Sequence, residues 1–160
     1  EGEVLTRRSL AIAAGKLRGY VCDFPANALK NNPRVITLPH LGASTEEAEE
    51  NCAIMVAENI REFLENGNIR SSVNFPEAIM PRTDAYRITI ANANVPNMVG
   101  QISSRLGQAG LNIEDLLNKS KGELAYTLVD LAGPVSDETL KSLQQINGVL
   151  TLRNLGKPLS

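Results

Sequence analysis

The feature that most constrains the fold of this chain is a lone histidine between a short apolar run and the start of a long helix. Residues 35–38 read Val-Ile-Thr-Leu, a run that favours a buried strand over a helix. Pro39 ends that strand, and His40, the only histidine of the 160 residues, follows it directly. An imidazole at a strand end, close to a helix start, is placed where proton transfer can be tuned. A lone histidine is also commonly a packed or surface residue, so the residues alone leave both interpretations open.

A long helix is predicted directly behind this histidine. Ser44 is a favourable N-cap, and Glu47, three residues later, completes a capping box. Asn66-Gly67 ends the helix, which sets its range at 45–66. About twenty residues at ~1.5 Å each span roughly 30 Å, so we expect a strut between domains. The helical spacing places on one face Ala48, Cys52, Met55, Val56, Ile60 and Phe63.

The residues before this helix follow the order of an α/β unit. A helix is predicted over 4–14 and a strand over 19–23, ahead of the strand that precedes His40. Ligands of parallel α/β sheets bind outside the carboxyl ends of the strands. Asp23 and His40 each follow such an end, which makes them candidate site residues. Because the sequence starts without methionine, in the middle of this pattern, we expect a fragment.

The pattern changes after residue 76. Residues 77–84 show no periodicity and read as a linker, and the order strand, helix, strand, strand, helix, strand follows in about seventy residues. This order predicts an antiparallel sheet with both helices on one face. The predicted strands are 86–90, 111–120, 124–131 and 149–153. The helices carry apolar residues at Val99, Ile102, Leu106 and Ala109, and at Leu140, Leu143 and Ile146.

Composition excludes several classes of partner. A net charge of -2 and a pI near 5.5 give no electrostatic reason to expect nucleic acid or an anionic membrane. An RNA-binding βαββαβ domain needs exposed aromatic residues and basic charge, and only three Phe and three Tyr are present. Cys22 and Cys52 lack zinc spacing, so we expect two reduced thiols and no metal site.

Residues 39–58, which begin Pro-His-Leu-Gly-Ala-Ser-Thr-Glu-Glu-Ala, closely resemble the segment around the catalytic histidine of D-3-phosphoglycerate dehydrogenases. These enzymes are D-isomer-specific 2-hydroxyacid dehydrogenases, and the resemblance continues through 72–76, Ser-Val-Asn-Phe-Pro. It implies an NAD-dependent oxidation of 3-phosphoglycerate to 3-phosphohydroxypyruvate, the first step of L-serine biosynthesis. It also implies a cytoplasmic homo-oligomer.

The same resemblance assigns roles to individual residues. His40 corresponds to the general acid/base that exchanges a proton with the substrate hydroxyl. Asp23 matches the aspartate beside the nicotinamide, and Leu41, Gly42 and Ala43 would line the same cofactor pocket. Residues 1–76 would be the remnant of a doubly wound nucleotide-binding domain with the connecting helix 45–66. After the linker 77–84, residues 85–157 would form a ferredoxin-like ACT domain, giving an α/β and α+β chain.

Two departures from the family pattern limit what this chain can do alone. No GxGxxG occurs among its twelve glycines, so nothing brings backbone amides against a pyrophosphate, and we expect the isolated chain to be inactive. The family also pairs its histidine with a carboxylate about five residues after the Asp23 equivalent. Residues 24–29 read Phe-Pro-Ala-Asn-Ala-Leu, in which Asn27 could orient the ring but cannot supply a charge.

The βαββαβ segment resembles the amino-acid-sensing ACT domain of these dehydrogenases. Asn94 matches one ligand-binding asparagine, Asn92 stands where histidine is expected, and Asn112 matches the second ligand-binding asparagine. Asn97 replaces a glycine in the same loop. These residues imply L-serine or a similar amino acid as effector, although asparagine is also a common turn former. The alternative function is a non-catalytic regulatory module that binds its effector at a dimer interface.

Overall fold

The computed structural model describes residues 11, 12, 14–25, 27–29 and 31–158. Its packing divides the chain into two compact units, Glu1–Ile54 and Met55–Ser160. The division falls inside the long helix, before the linker 77–84 expected from the sequence. Most of the helix predicted over 4–14 lies outside the described residues. Within the described residues, none of the helices combines the length and the apolar character that crossing a bilayer requires.

The described part of the first unit contains two short strands, β1 (Tyr20–Cys22) and β2 (Val35–Thr37), which pair in parallel. A single 3-10 turn, Asn27–Leu29, lies in the connection between them. Leu29 is buried, whereas the strand residues are exposed or half-buried. Cys22 and Cys52 are both free thiols. The parallel pair expected around Asp23 and His40 is confirmed.

The long helix, α1, spans Glu46–Arg61 and continues as a π-helical turn, Glu62–Asn66. Gly67 then ends it in the left-handed conformation at φ +74°. The cap differs from the prediction, because the Oγ1 of Thr45, not Ser44, accepts a hydrogen bond from the Ala48 amide at 3.1 Å. With the cap one residue later, Glu47 stands one position too early to complete a capping box.

The second unit contains the predicted βαββαβ order. The elements are β3 (Tyr86–Ala93), α2 (Met98–Gln108), β4 (Ile113–Lys121), β5 (Leu124–Leu131), α3 (Asp137–Gln144) and β6 (Val149–Gly156). The strands form one antiparallel sheet in the order β4-β5-β3-β6, and the two helices pack on one face of that sheet. This is the ferredoxin-like arrangement that the sequence predicted.

Both faces of this sheet are covered at its two central strands, β3 and β5. The core under the helices comprises Ile88, Ile90, Met98, Ile102, Leu106, Val129, Leu131, Val135, Leu143 and Ile146. The opposite face is covered by the segment that follows α1. Ile69, Ala78 and Met80 of that segment pack against Ala91, Tyr126 and Leu128. An isolated bridge between Ile69 and Ala78, with N–O distances of 2.9 and 3.0 Å, closes the segment into a loop.

A buried ion pair holds this covering segment in place. Arg87 and Asp130 are 0% and 2% exposed, and the Arg87 Nε lies 2.6 Å from Asp130 Oδ1. The two terminal nitrogens donate to Asp130 Oδ2 and to the carbonyls of Asn66, Met80 and Pro81, at 2.7–3.0 Å. All five guanidinium N–H groups are therefore used. The alternation of Arg87 and Thr89 with apolar residues is typical of a half-buried strand. In β3, however, the covering segment and this pair bury the second face as well.

Candidate functional site

The parallel strands bring Asp23 and His40 to one edge. Cys22 pairs with Thr37 at the last position of the ladder, and the Leu38 amide donates to the Cys22 carbonyl at 2.8 Å. Asp23 therefore leaves β1 at the same edge at which His40 follows β2 through Pro39. This is the carboxyl edge at which parallel sheets bind ligands.

The two side chains face each other. His40 Nδ1 lies 3.5 Å from Asp23 Oδ2, with the side chains 60% and 57% exposed. The Phe24 ring meets the imidazole edge-on, with centroids 5.6 Å apart and planes at 77°. The carboxylate and the aromatic ring together limit how the imidazole can turn, and Nε2 is the ring nitrogen left for a proton exchanged with a ligand.

The family pairs its histidine with a carboxylate that residues 24–29 of this chain do not supply. Asp23 itself stands beside the imidazole. Asn27 is the exposed first residue of the 3-10 turn, and in the described part of the chain no hydrogen bond joins it to His40. The family resemblance implied a position beside the nicotinamide for Asp23, and the register of β1 and β2 brings Asp23 close to His40.

Leu41, Gly42 and Ala43 form an exposed turn between His40 and α1. The Ser44 amide donates to the Leu41 carbonyl at 3.0 Å, which closes the turn ahead of the Thr45 cap. Among the described residues, no atom beyond the two chain neighbours lies within 4 Å of the position that a Cβ would take at Gly42. The turn therefore leaves open space at Gly42, two residues after His40.

A second concave site lies at the start of α2, in the second unit. It has a volume of about 150 Å³, and its polar lining includes Asn92, Asn94, Asn97 and Asn118. The first amides of α2 open into it without carbonyl partners in the helix, which suits a carboxylate. The Asn94 Nδ2 donates to the Gly122 carbonyl at 3.0 Å, which directs the amide group along the mouth of the site.

Asn118 was missed by the sequence reasoning, and it belongs to a hydrogen-bond chain behind this site. Its Nδ2 donates to Thr127 Oγ1 at 2.7 Å, and Thr127 Oγ1 donates to Asn92 Oδ1 at 3.2 Å. Asn92 is fully buried, and its Nδ2 donates to the Ala93 carbonyl at 2.8 Å. Asn92 therefore fixes the floor of the site, and Asn94 is the asparagine with an exposed amide.

Asn112 lies apart from this asparagine site. Its carbonyl accepts from the Ala132 amide at 3.1 Å, just before β4 begins. Asn94 instead contacts Gly122, just past the other end of β4. Nine strand residues at ~3.3 Å each separate the two positions by roughly 30 Å. One copy of the chain therefore cannot bring Asn94 and Asn112 to the same small ligand.

Comparison with known proteins gives no match to any family model. The D-3-phosphoglycerate dehydrogenase of Haemophilus influenzae is 31% identical over 157 residues, covering 91% of this chain and 38% of that protein. Its counterpart from Escherichia coli K12 is 27% identical over 158 residues, with the same two coverages. D-3-phosphoglycerate dehydrogenase 1 of Saccharomyces cerevisiae is 28% identical over 161 residues, covering 86% of this chain and 34% of that protein.

Among solved structures, the chain is similar to the ACT domain from GTP pyrophosphokinase of Chlorobium tepidum. The match has a TM-score of 0.39 and 19% identity, and it covers 44% of this chain and 95% of that one. The regulatory subunit of aspartate kinase from Thermus thermophilus gives a TM-score of 0.37 and 14% identity, over 48% of this chain and 56% of that one. The chain spans less than two-fifths of the length of the curated dehydrogenases. Over about nine-tenths of its own length, it is a homologue of D-3-phosphoglycerate dehydrogenases.

Proposed function

We propose that this chain supplies the acid/base histidine and an amino-acid-sensing ACT module to an NAD-dependent D-3-phosphoglycerate dehydrogenase. The observation that carries the proposal is the approach of Asp23 Oδ2 to His40 Nδ1, at the carboxyl edge of two parallel strands. An imidazole held in this way accepts a proton at Nε2 from the substrate hydroxyl. The carboxylate then stabilises the imidazolium that forms. 3-Phosphoglycerate is the substrate that the homologues suggest.

NAD does not fit the residues of this chain alone. The chain has no GxGxxG to bring backbone amides against a pyrophosphate. A single glycine, Gly42, in the turn after His40 does not replace that motif. This edge, with Asp23 and the turn 41–43, would meet only the nicotinamide end. The residues present therefore provide the proton-transfer half of the reaction.

The state of the His40 ring tests the role of Asp23. If Asp23 accepts from Nδ1–H, the neutral ring of the wild-type chain is mainly the Nδ1–H tautomer. Asp23→Ala is expected to abolish that preference. Nitrogen-15 spectra measure the tautomer directly, because His40 is the sole histidine. Glu50→Ala, which removes an exposed carboxylate of α1, is the matched control and should leave the tautomer unchanged. Equal tautomer populations in wild type and Asp23→Ala would refute this role.

The asparagine site supports the second part of the proposal, an effector function. A cavity of about 150 Å³ admits a small amino acid, with its carboxylate at the α2 amides and its ammonium or hydroxyl group at Asn94. Because Asn112 lies at the far end of β4, a site that uses both asparagines needs a second copy of the chain. A regulatory module without catalysis is the alternative function. A site that needs a second copy of the chain would suit that module equally well.

Titration calorimetry with L-serine tests the effector function. We expect the wild-type chain to bind L-serine and Asn94→Ala to bind it about tenfold more weakly, since one hydrogen bond is lost and a ligand polar group stays unpaired. Asn154→Ala, which removes an exposed asparagine of β6 away from the cavity, should bind as wild type does. No heat from the wild type, or equal affinities of wild type and Asn94→Ala, would show that the loop is only a turn.

A further inference from the structure

A second, larger cleft lies on the sheet face opposite α2 and α3. Its volume is about 450 Å³, within the range of roughly 300–1,000 Å³ that small-molecule sites occupy. The last turns of α1 form one wall, the segment 68–75 forms the other, and strands β3, β5 and β6 form the floor. All its lining residues belong to the second unit. The cleft shares no lining residue with the asparagine site, and His40 is not among the residues that line it.

The interior of this outer cleft is apolar and held in shape. Its apolar lining includes Val56, Ile60, Ile69, Phe75, Ala91 and Tyr126. Phe75 meets Tyr126 edge-on at 6.2 Å, and the Tyr126 hydroxyl donates to the Gly67 carbonyl at 2.8 Å. Burial raises the pKa of this phenol above its usual value, so the hydroxyl remains a donor at neutral pH. These contacts fix the floor to one wall, and the cleft is therefore preformed.

Two arginines and no carboxylate are among the residues that line the outer cleft. Arg153 is already engaged, because it donates to the carbonyls of Phe63 and Leu64 at 3.0 and 3.1 Å and lies 4.4 Å from the centre of the Phe63 ring. Arg70 is exposed and makes no hydrogen bond or ion pair within the described residues. Its charge does act on the Glu62 carboxylate, whose pKa is lowered mainly by the hydrogen bond from Asn68 and further by Asn66 and Arg70. The N–H donors of Arg70 are nevertheless unused beside an apolar cavity.

We propose that the outer cleft binds a small amphipathic anion, an apolar ring or branched chain that carries one carboxylate, sulfonate or phosphate group. The apolar body lies against Tyr126 and Phe75, and Arg70 binds the anionic group. The positive lining favours this ligand over a neutral or cationic one of the same size. This proposal does not depend on the dehydrogenase function, because the cleft is lined neither by Asp23 and His40 nor by the residues of the asparagine site.

Anilinonaphthalene sulfonate, an aromatic body with one sulfonate, is the probe for this proposal. We expect saturable binding to the wild-type chain, measured by fluorescence, and about tenfold weaker binding to Arg70→Met. Arg61→Met removes an exposed arginine of α1 that does not line the cleft, so it should bind as wild type does. Uncharged phenylnaphthylamine should bind wild type and Arg70→Met equally. Equal affinity of the sulfonate for the two arginine variants would overturn the proposal.

Two further measurements locate the probe. Thr151→Trp places a large ring in the cleft from β6 and should abolish binding of the probe. In the wild type, changes in amide NMR chemical shift on adding the probe should cluster around residues 69–75, 89–91 and 126. Shifts elsewhere would overturn the proposal even if the Trp variant failed to fold. A second copy of the chain is the competing occupant. If sedimentation shows a dimer that Thr151→Trp dissociates, and the wild type excludes the probe, the small-anion proposal is wrong.

Discussion

Replacing Arg87 with methionine is expected to lower the free energy of unfolding of the second unit by about 3–5 kcal/mol, the usual cost of removing one partner from a buried ion pair. The substitution leaves Asp130, 2% exposed, without its bidentate partner. It also leaves the carbonyls of Asn66, Met80 and Pro81 without their donor. Because small domains are stable by only about 5–15 kcal/mol, the loss should be plain in a urea titration followed by circular dichroism.

Two variants show whether the buried charge causes this loss. Arg105→Met removes an exposed arginine that donates to Ser142 Oγ at 2.6 Å, and it should cost less than about 1 kcal/mol. The double variant Arg87→Met/Asp130→Leu should recover part of the loss, because no carboxylate stays buried and unpaired. Equal unfolding midpoints for Arg87→Met and Arg105→Met would contradict this account of the pair.

The second large effect is expected at Gly67, which ends the long helix. A Cβ there would collide with Thr89 Cγ2 and lie 2.9 Å from Leu155 Cδ1. Gly67→Ala therefore combines a left-handed alanine, about 1–2 kcal/mol, with overpacking of about 1–3 kcal/mol. Thermal unfolding of the variant measures the sum.

Gly110 provides a matched control for Gly67. Both glycines have φ +74°, but no atom lies within 4 Å of a Cβ built at Gly110. That space is open as far as the described residues extend, so Gly110→Ala should carry only the backbone cost, about 1–2 kcal/mol. If the two alanine variants are equally stable, the close approach of Gly67 to the sheet has no energetic weight.

Local signals in the sequence were sufficient for most of the regular structure. Gly122, at φ +61°, begins the two-residue turn between β4 and β5, and Ser136 caps α3 by accepting from the Thr139 amide at 3.2 Å. The helical stripe of α2 was off by one position at its start, because the buried residue is Met98 and not Val99. Ile102 and Leu106 are buried as predicted. Spacing fixes such faces to within a residue or so, and packing decides the rest.

The features that sequence reasoning missed all depend on contacts between distant positions. Arg87 alternates with apolar residues like any half-exposed strand residue, and only Asp130, 43 positions away, explains its burial. Residues 77–84 cover the sheet without forming a regular helix or strand, so they show no periodicity in the sequence. Ala78 and Met80 are nevertheless buried against the sheet, which the sequence did not indicate. Asn118 had no signal in the sequence, since its role comes from its place beside Thr127 across β4 and β5.

The candidate site at His40 shows the same limit. The sequence predicted that Asp23 and His40 follow neighbouring parallel strands, and the strand pairing agrees. It could not predict that the two side chains would approach to 3.5 Å, since that depends on the register and on the turn after Pro39. Without the register, the missing carboxylate over 24–29 had suggested an imidazole with no charged neighbour.

The phenol of Tyr126 gives the chain a built-in optical reporter. The sequence contains no tryptophan and only three tyrosines, so no stronger fluorophore masks tyrosine emission. Tyr126 lies on the floor of the outer cleft, in contact with Phe75 and bonded to the Gly67 carbonyl. Loosening of the segment after α1 would expose this ring to water and change its light output. The detachment of that segment from the sheet can thus be followed in the unlabelled chain.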